Sequence, residues 1–122
     1  LPLFDHVEKH GIPENAYIKV ENIKGKILFF GAEDDTLWHT AKYIRRMEKR
    51  LKDNNFKYDY EVHIYRFGTH FVFPQGVFTA AMPFGVNAFI GRMFKSAKVH
   101  PKECEKTRLD VDKATAAAIK NW

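Results

Sequence analysis

The stretch Ile27-Leu28-Phe29-Phe30-Gly31-Ala32-Glu33-Asp34-Asp35-Thr36 decides the fold. Its four leading residues are apolar without a period of two, so both faces of the segment need apolar cover. That is the pattern of a strand inside a parallel sheet, opened by Lys24-Gly25-Lys26 and ended by Gly31. Beyond the acidic run, Leu37, Ala41, Ile44, Met47 and Leu51 recur in steps of three and four, which predicts a helix ending near Asp53-Asn54-Asn55. Tyr58, Tyr60, Val62 and Ile64 then alternate with Asp59, Glu61, His63 and Tyr65, a strand with unlike faces that stops at Phe67-Gly68. A helix between two strands implies a right-handed crossover and parallel pairing.

Outward from this unit, residues 1–22 read as a lead-in of loop and short helix, broken at His10-Gly11-Ile12-Pro13. Residues 71–99 are rich in Phe, Met, Gly and Pro and predict a long, partly apolar loop or lid. His100-Pro101 opens a terminal helix over 100–122, with Cys104, Thr107, Val111, Ala114 and Ala118 along one face. The fold class is α/β: strand, helix, strand, helix in a single partial domain with an incomplete sheet. Two parallel strands are marginal alone, so further strands are expected from another chain or from the rest of a larger sheet. The start at Leu1-Pro2-Leu3, without Met, fits a longer chain that was cut or a leader that was removed.

Composition narrows the classes. Eleven Phe, five Tyr and two Trp supply the apolar surface that disordered chains lack. No run is long enough to span a membrane and no secretory leader opens the chain, so a soluble cytoplasmic protein is expected. The single Cys104 excludes an internal disulfide. The six histidines are scattered; His6 and His10 share a helical spacing without a third ligand, so neither a metal nor a cofactor is expected. The net charge of +5 is local: Lys42, Arg45, Arg46, Lys49, Arg50 and Lys52 against Glu48 leave the rest balanced. This segment reads as a solvated helix face, with contact to phosphates as the alternative; neither a nucleic-acid module nor a membrane surface is indicated.

The chemistry lies at the strand tips. The first strand runs into Glu33-Asp34-Asp35 and the second into Phe67-Gly68-Thr69-His70, which puts a carboxylate and an imidazole at the carboxyl ends of neighbouring parallel strands, where α/β sheets bind ligands. A carboxylate on the ring N–H fixes the tautomer of a histidine and makes it a general base. Taken singly, the aspartate also fits a helix cap or turn, and the histidine an ordinary loop residue.

Val20-Glu21-Asn22-Ile23-Lys24-Gly25-Lys26-Ile27-Leu28, Gly31-Ala32-Glu33-Asp34-Asp35-Thr36-Leu37-Trp38, Arg50-Leu51-Lys52, Tyr65-Arg66-Phe67-Gly68-Thr69-His70 and Pro74 resemble the carboxyl-terminal α/β-hydrolase domain of the acyl-CoA thioesterase and bile acid-CoA:amino acid N-acyltransferase family. The resemblance is clearest over 18–75, and Ile119-Lys120-Asn121-Trp122 sits where the family has its last helix. In that family the acid follows the glycine by three positions and the base lies in a Gly-x-His turn. The resemblance therefore implies Asp34, rather than Asp35, and His70 as acid and base. Thr69 departs from the small residue usual between Gly and His, and His39-Thr40 from the Pro or Ser that often follows Trp.

The family's nucleophile stands on a Gly-x-Ser-x-Gly or Gly-x-Cys-x-Gly elbow upstream of the acid, and this sequence has none. Ser96 follows the histidine, in the wrong order, and Cys104 falls on an apolar helix stripe. The resemblance implies the carboxyl-terminal portion of a thioester hydrolase or acyltransferase acting on acyl-CoA-like substrates, supplying acid and base and inactive without its nucleophile half. Phe71, Phe73, Phe78, Met82 and Phe84 are then either an acyl-chain pocket or a surface covered by the missing part. The alternative is a non-catalytic interaction module that self-associates through its sheet edge.

Overall fold

The computed structural model describes Val7 and residues 9–122; His6 and the Leu1 terminus of the sequence reading lie outside the described residues. Strand β1 is Ile27–Ala32 and strand β2 is Tyr60–Tyr65. They pair in parallel, Ile27 opposite Tyr60 through Ala32 opposite Tyr65, as the crossover rule predicts. Among the described residues the sheet has these two strands. Helix α1, Thr40–Asp53, links them.

One sheet face carries Ile27, Phe29, Tyr60, Val62 and Ile64, which pack with Val20 and with Ile44, Met47 and Leu51 of α1. Gly31 permits this packing: a Cβ there would stand 2.5 Å from the Ile44 Cδ1. The opposite face presents Phe30, Ala32 and Tyr65 to Val72 and to Val111 of the terminal helix. Both faces thus receive apolar cover, as the unbroken run 27–30 requires.

Boundaries differ from the sequence reading: β2 begins at Tyr60 rather than Tyr58, the terminal helix spans Pro101–Lys120 rather than 100–122, and two further shifts have a visible cause. β1 continues through Gly31 to Ala32, because ladder pairing with Ile64 and Tyr65 uses backbone groups a glycine also has. α1 begins at Thr40, not at Leu37, because the Asp35 side chain takes the Leu37 and Trp38 N–H groups at 2.9 and 3.0 Å and holds them in a turn.

The expected loop or lid over 71–99 is instead three short helices: α2 (Gln75–Ala81), α3 (Val86–Met93) and α4 (Lys95–Val99). Two of its breakers mark helix starts, while Gly76 and Gly91 lie within helices. Pro74 immediately precedes α2, and Gly85, at φ 77°, precedes α3. Val86, Ile90, Phe94 and Ala97 form a core with Cys104, and Phe67, Phe71, Phe78 and Met82 pack against it. Phe71, Phe78 and Met82, expected to line a pocket or meet a partner, are thus half-buried against this core, while Phe73 and Phe84 are exposed, the latter 88%.

Helix α5, Pro101–Lys120, buries Cys104, Thr107, Val111 and Ala118 of the predicted stripe, leaves Ala114 half-buried, and also buries Arg108. Arg108 is 1% exposed. Its Nε donates to Gln75 Oε1 at 2.6 Å, another guanidinium nitrogen donates to Asn87, and the group lies 5.8 Å from the centre of the Phe78 ring. Burial holds its pKa below the usual arginine value. This residue fastens α2 and α3 to α5. Among the described residues no helix is long and apolar enough to cross a membrane, and no group of three His, Cys, Asp or Glu is placed to hold a metal.

Candidate acid–base site

The loop after β1 and the turn after β2 leave adjacent, parallel strands in the same direction, so their side chains meet. The His70 Nδ1 lies 3.1 Å from Asp35 Oδ2. The Asp35 side chain is 1% exposed, and its other oxygen accepts the Leu37 and Trp38 N–H groups. A carboxyl group so far from water is tolerated only when hydrogen-bonded, and here the Leu37 and Trp38 N–H groups and the His70 ring supply the partners. Its site also fixes its direction: the backbone turn orients one oxygen and leaves the second aimed at the ring.

The His70 side chain is 20% exposed. Trp38 meets its ring edge-on, with centroids 5.0 Å apart and planes at 76°. With Nδ1–H donated to Asp35, the Nε2 lone pair is the one free to take a proton, which is the arrangement of a general base.

Asp34 points elsewhere. Its Oδ1 accepts the Gly68 and Thr69 N–H groups at 3.0 and 2.8 Å, and its Oδ2 accepts the Ser96 hydroxyl of α4. Thr69 needs such support. It is fully buried with φ 60°, a left-handed conformation that for a β-branched residue costs about 1–3 kcal/mol. Each N–H bond to a carboxylate contributes roughly 1.5–3 kcal/mol, so the two at Asp34 suffice to hold the turn. The Thr69 Oγ1 in turn accepts the Phe71 N–H at 3.2 Å, and the Thr107 hydroxyl donates to the Phe67 carbonyl. Gly68 is enclosed: a Cβ would lie 2.8 Å from Val72 Cγ2 and 3.1 Å from Thr107 Cγ2.

The expectation for His70 and that for Asp34 therefore part company. The structure brings His70 onto a carboxylate, but that carboxylate is Asp35, and Asp34 binds the backbone of the turn on which His70 stands. Consecutive residues in a loop project differently, and spacing from Gly31 does not say which one faces the ring. The sequence reading also missed Trp38 as the ring's neighbour and Ser96 as a partner of Asp34; no local signal connects residues this far apart in the chain.

Neither candidate attacking group in this chain is activated. The Ser96 hydroxyl is engaged by Asp34. Burial, reinforced by the nearby negative charge of Asp34, pushes the Cys104 thiol up to about 11, so it is protonated at neutral pH. The basic face of α1 is largely paired. Arg45 bonds Glu33, Arg50 bonds Glu21 and Glu14, Lys52 bonds Glu48 at 3.0 Å, and Lys49 bonds Asp53. Arg46 lies 5.4 and 5.7 Å from the Tyr17 and Tyr43 ring centres. These contacts give most of the basic residues of α1 partners within the molecule.

β1 pairs with β2 along one edge, and a cleft follows its flank. Leu28, Phe29 and Phe30 line it from the strand, Ile44 and Met47 from α1, and Tyr17 and Ile18 from the lead-in. The cleft reaches Trp38, the residue that touches the His70 ring.

Comparison with known proteins bears on this geometry. Residues 4–83 match the family model described as BAAT / Acyl-CoA thioester hydrolase C terminal, a span that contains both strands, α1, both aspartates and His70. No curated protein and no solved structure matches the chain.

Proposed function

The chain belongs to the BAAT/acyl-CoA thioester hydrolase C-terminal family, and from that membership we propose that it supplies the acid and base of a nucleophile–His–Asp triad in a thioester hydrolase or acyltransferase. The base is His70 and the carboxylate that orients it is Asp35. The observation that carries this reading is the 3.1 Å contact between His70 Nδ1 and a buried Asp35 at the tips of adjacent parallel strands.

The attacking Ser or Cys belongs to the preceding half of the fold, which docks along the outer edge of β1 and the cleft that ends at Trp38. His70 Nε2 takes the proton of the attacking group as it adds to the thioester carbonyl. Collapse of the tetrahedral intermediate expels the thiolate of CoA, which leaves with the proton from His70. His70 then deprotonates the water or amine that releases the acyl group. Asp35 keeps the ring in one tautomer and stabilises the imidazolium in each half-reaction. Alone, the chain has no activated nucleophile and no turnover.

The test joins this chain to the nucleophile-bearing half of a family member and follows release of free CoA thiol from an acyl-CoA. Asp35→Asn is expected to lower turnover by about ten-thousandfold, the scale of losing tautomer control in such a triad, and His70→Ala by about a millionfold, the scale of losing the base itself. Asp34→Asn is expected to stay within about tenfold, since it removes no group on the ring. Undiminished turnover in His70→Ala overturns the assignment.

A further inference from the structure

We propose that Asp34 is a positioning residue for the base: with Ser96 it clamps the left-handed turn that aims His70 and couples the helical layer to the site. This rests on the reading of His70 as the base but makes its own claim about what holds that ring in place.

Three observations meet at one carboxylate. Asp34 Oδ1 receives two successive backbone N–H groups, those of Gly68 and Thr69, the residues immediately before His70. Thr69 is held at φ 60° and wholly enclosed, so the turn is over-determined by its surroundings rather than chosen by its own side chain. Ser96 of α4, from a part of the chain that contributes nothing else to the pair, donates to the remaining oxygen. Asp35 and Asp34 thus divide the work: one oxygen of Asp35 sets the ring's tautomer, and Asp34 sets the backbone from which the ring projects. α4 packs on α3 and α5 through Ala97 and its cluster, so the Ser96 bond makes the position of the helical layer part of the geometry of the base.

The clamp needs an acceptor oxygen and not a negative charge. Asp34→Asn keeps an oxygen for both N–H groups and turns an amide N–H toward the Ser96 oxygen, whereas Asp34→Ala removes every partner. The test measures, on the isotope-labelled full chain, hydrogen exchange at the Gly68 and Thr69 amides and the carbon-bound ring-proton resonances of His70, which the edge-on Trp38 ring displaces. Asp34→Ala is expected to speed exchange of both amides by about tenfold or more, the loss of at least one bond to a charged group, and to return the His70 resonances toward their unfolded positions. Asp34→Asn is expected to restore both readouts, and Ser96→Ala to shift the His70 resonances partway. Unchanged exchange in Asp34→Ala overturns the clamp. Should that variant not fold, Asp34→Asn decides: loss of protection or of the His70 shifts there contradicts the clamp, and retention supports it. These readouts need no turnover, so a failure of His70 or Asp35 in the joined enzyme leaves them intact, and a failure of the clamp leaves the triad assignment standing.

Discussion

Charge is handled in opposite ways at the strand tips and on the outer face of α1. At the tips, Asp34 and Asp35 each accept several specific donors, and Asp35 is out of reach of water. On α1, Lys49 and Lys52 meet carboxylates one helical turn away, with both lysines and Asp53 exposed and Glu48 half-buried. Dry carboxylates are costly to leave unpaired and so enforce one geometry; wet pairs exchange water for one another at little gain. The sign and number of charges therefore say less about function than their enclosure.

Mutations at the tips should break the structure, and those on α1 should barely touch it. Asp35→Ala strands the His70 Nδ1–H and two backbone N–H groups, and a loss of about 3 kcal/mol in urea unfolding is expected. A loss below about 1 kcal/mol would place Asp35 with the surface pairs. Gly68→Ala forces a methyl to within 2.8 Å of Val72 and is expected to cost about 1–3 kcal/mol, with the His70 turn displaced. The check is the same unfolding curve.

Cys104 sharpens the comparison by pH. Its folded value of about 11 stands above its ordinary 9.0, so the folded protein holds that proton more firmly than the unfolded chain does. The corresponding stability is full below about 9 and is lost as pH rises toward 11. Labelling by a thiol reagent at pH 8 should follow the rate of unfolding, and labelling as fast as free cysteine would contradict the burial of this thiol. The smallest effects belong to α1. The Arg50 guanidinium holds the Glu21 carboxyl below its ordinary value. Its contribution is present above pH 4.5 and fades as pH falls through the folded value, so Glu21→Gln should flatten the acid limb of the stability curve. Lys49→Ala and Lys52→Ala should leave the thermal midpoint where it is.

How much of this was legible in the sequence follows from the length over which each signal repeats. β1, α1 and β2 announce themselves because Ile27–Phe30 is unbroken, five apolar residues keep helical step through Leu51, and Tyr60 to Tyr65 alternates. The helices within 75–99 do not, since runs of five to eight residues hold barely two turns and the Pro and Gly that start them look like loop. Arg108 is hidden for another reason: its partners Gln75 and Asn87 come from helices that were not expected. The placement of His70 beside a carboxylate was legible because its position at a strand tip is a matter of topology. Which of Asp34 and Asp35 meets the ring is a matter of side-chain direction within one loop, and that direction is set by donors, Gly68, Thr69, Leu37 and Trp38, that only the folded chain brings near.

The most direct measurement is the nitrogen spectrum of the His70 ring in the unmodified chain, Asp35→Asn and Asp34→Asn near pH 8. A ring protonated at Nδ1 in the first and third, and a mixed tautomer in the second, is the expected result. A ring that keeps Nδ1–H without the Asp35 carboxylate but loses it without that of Asp34 would show that the neighbouring residue, and not Asp35, controls the base.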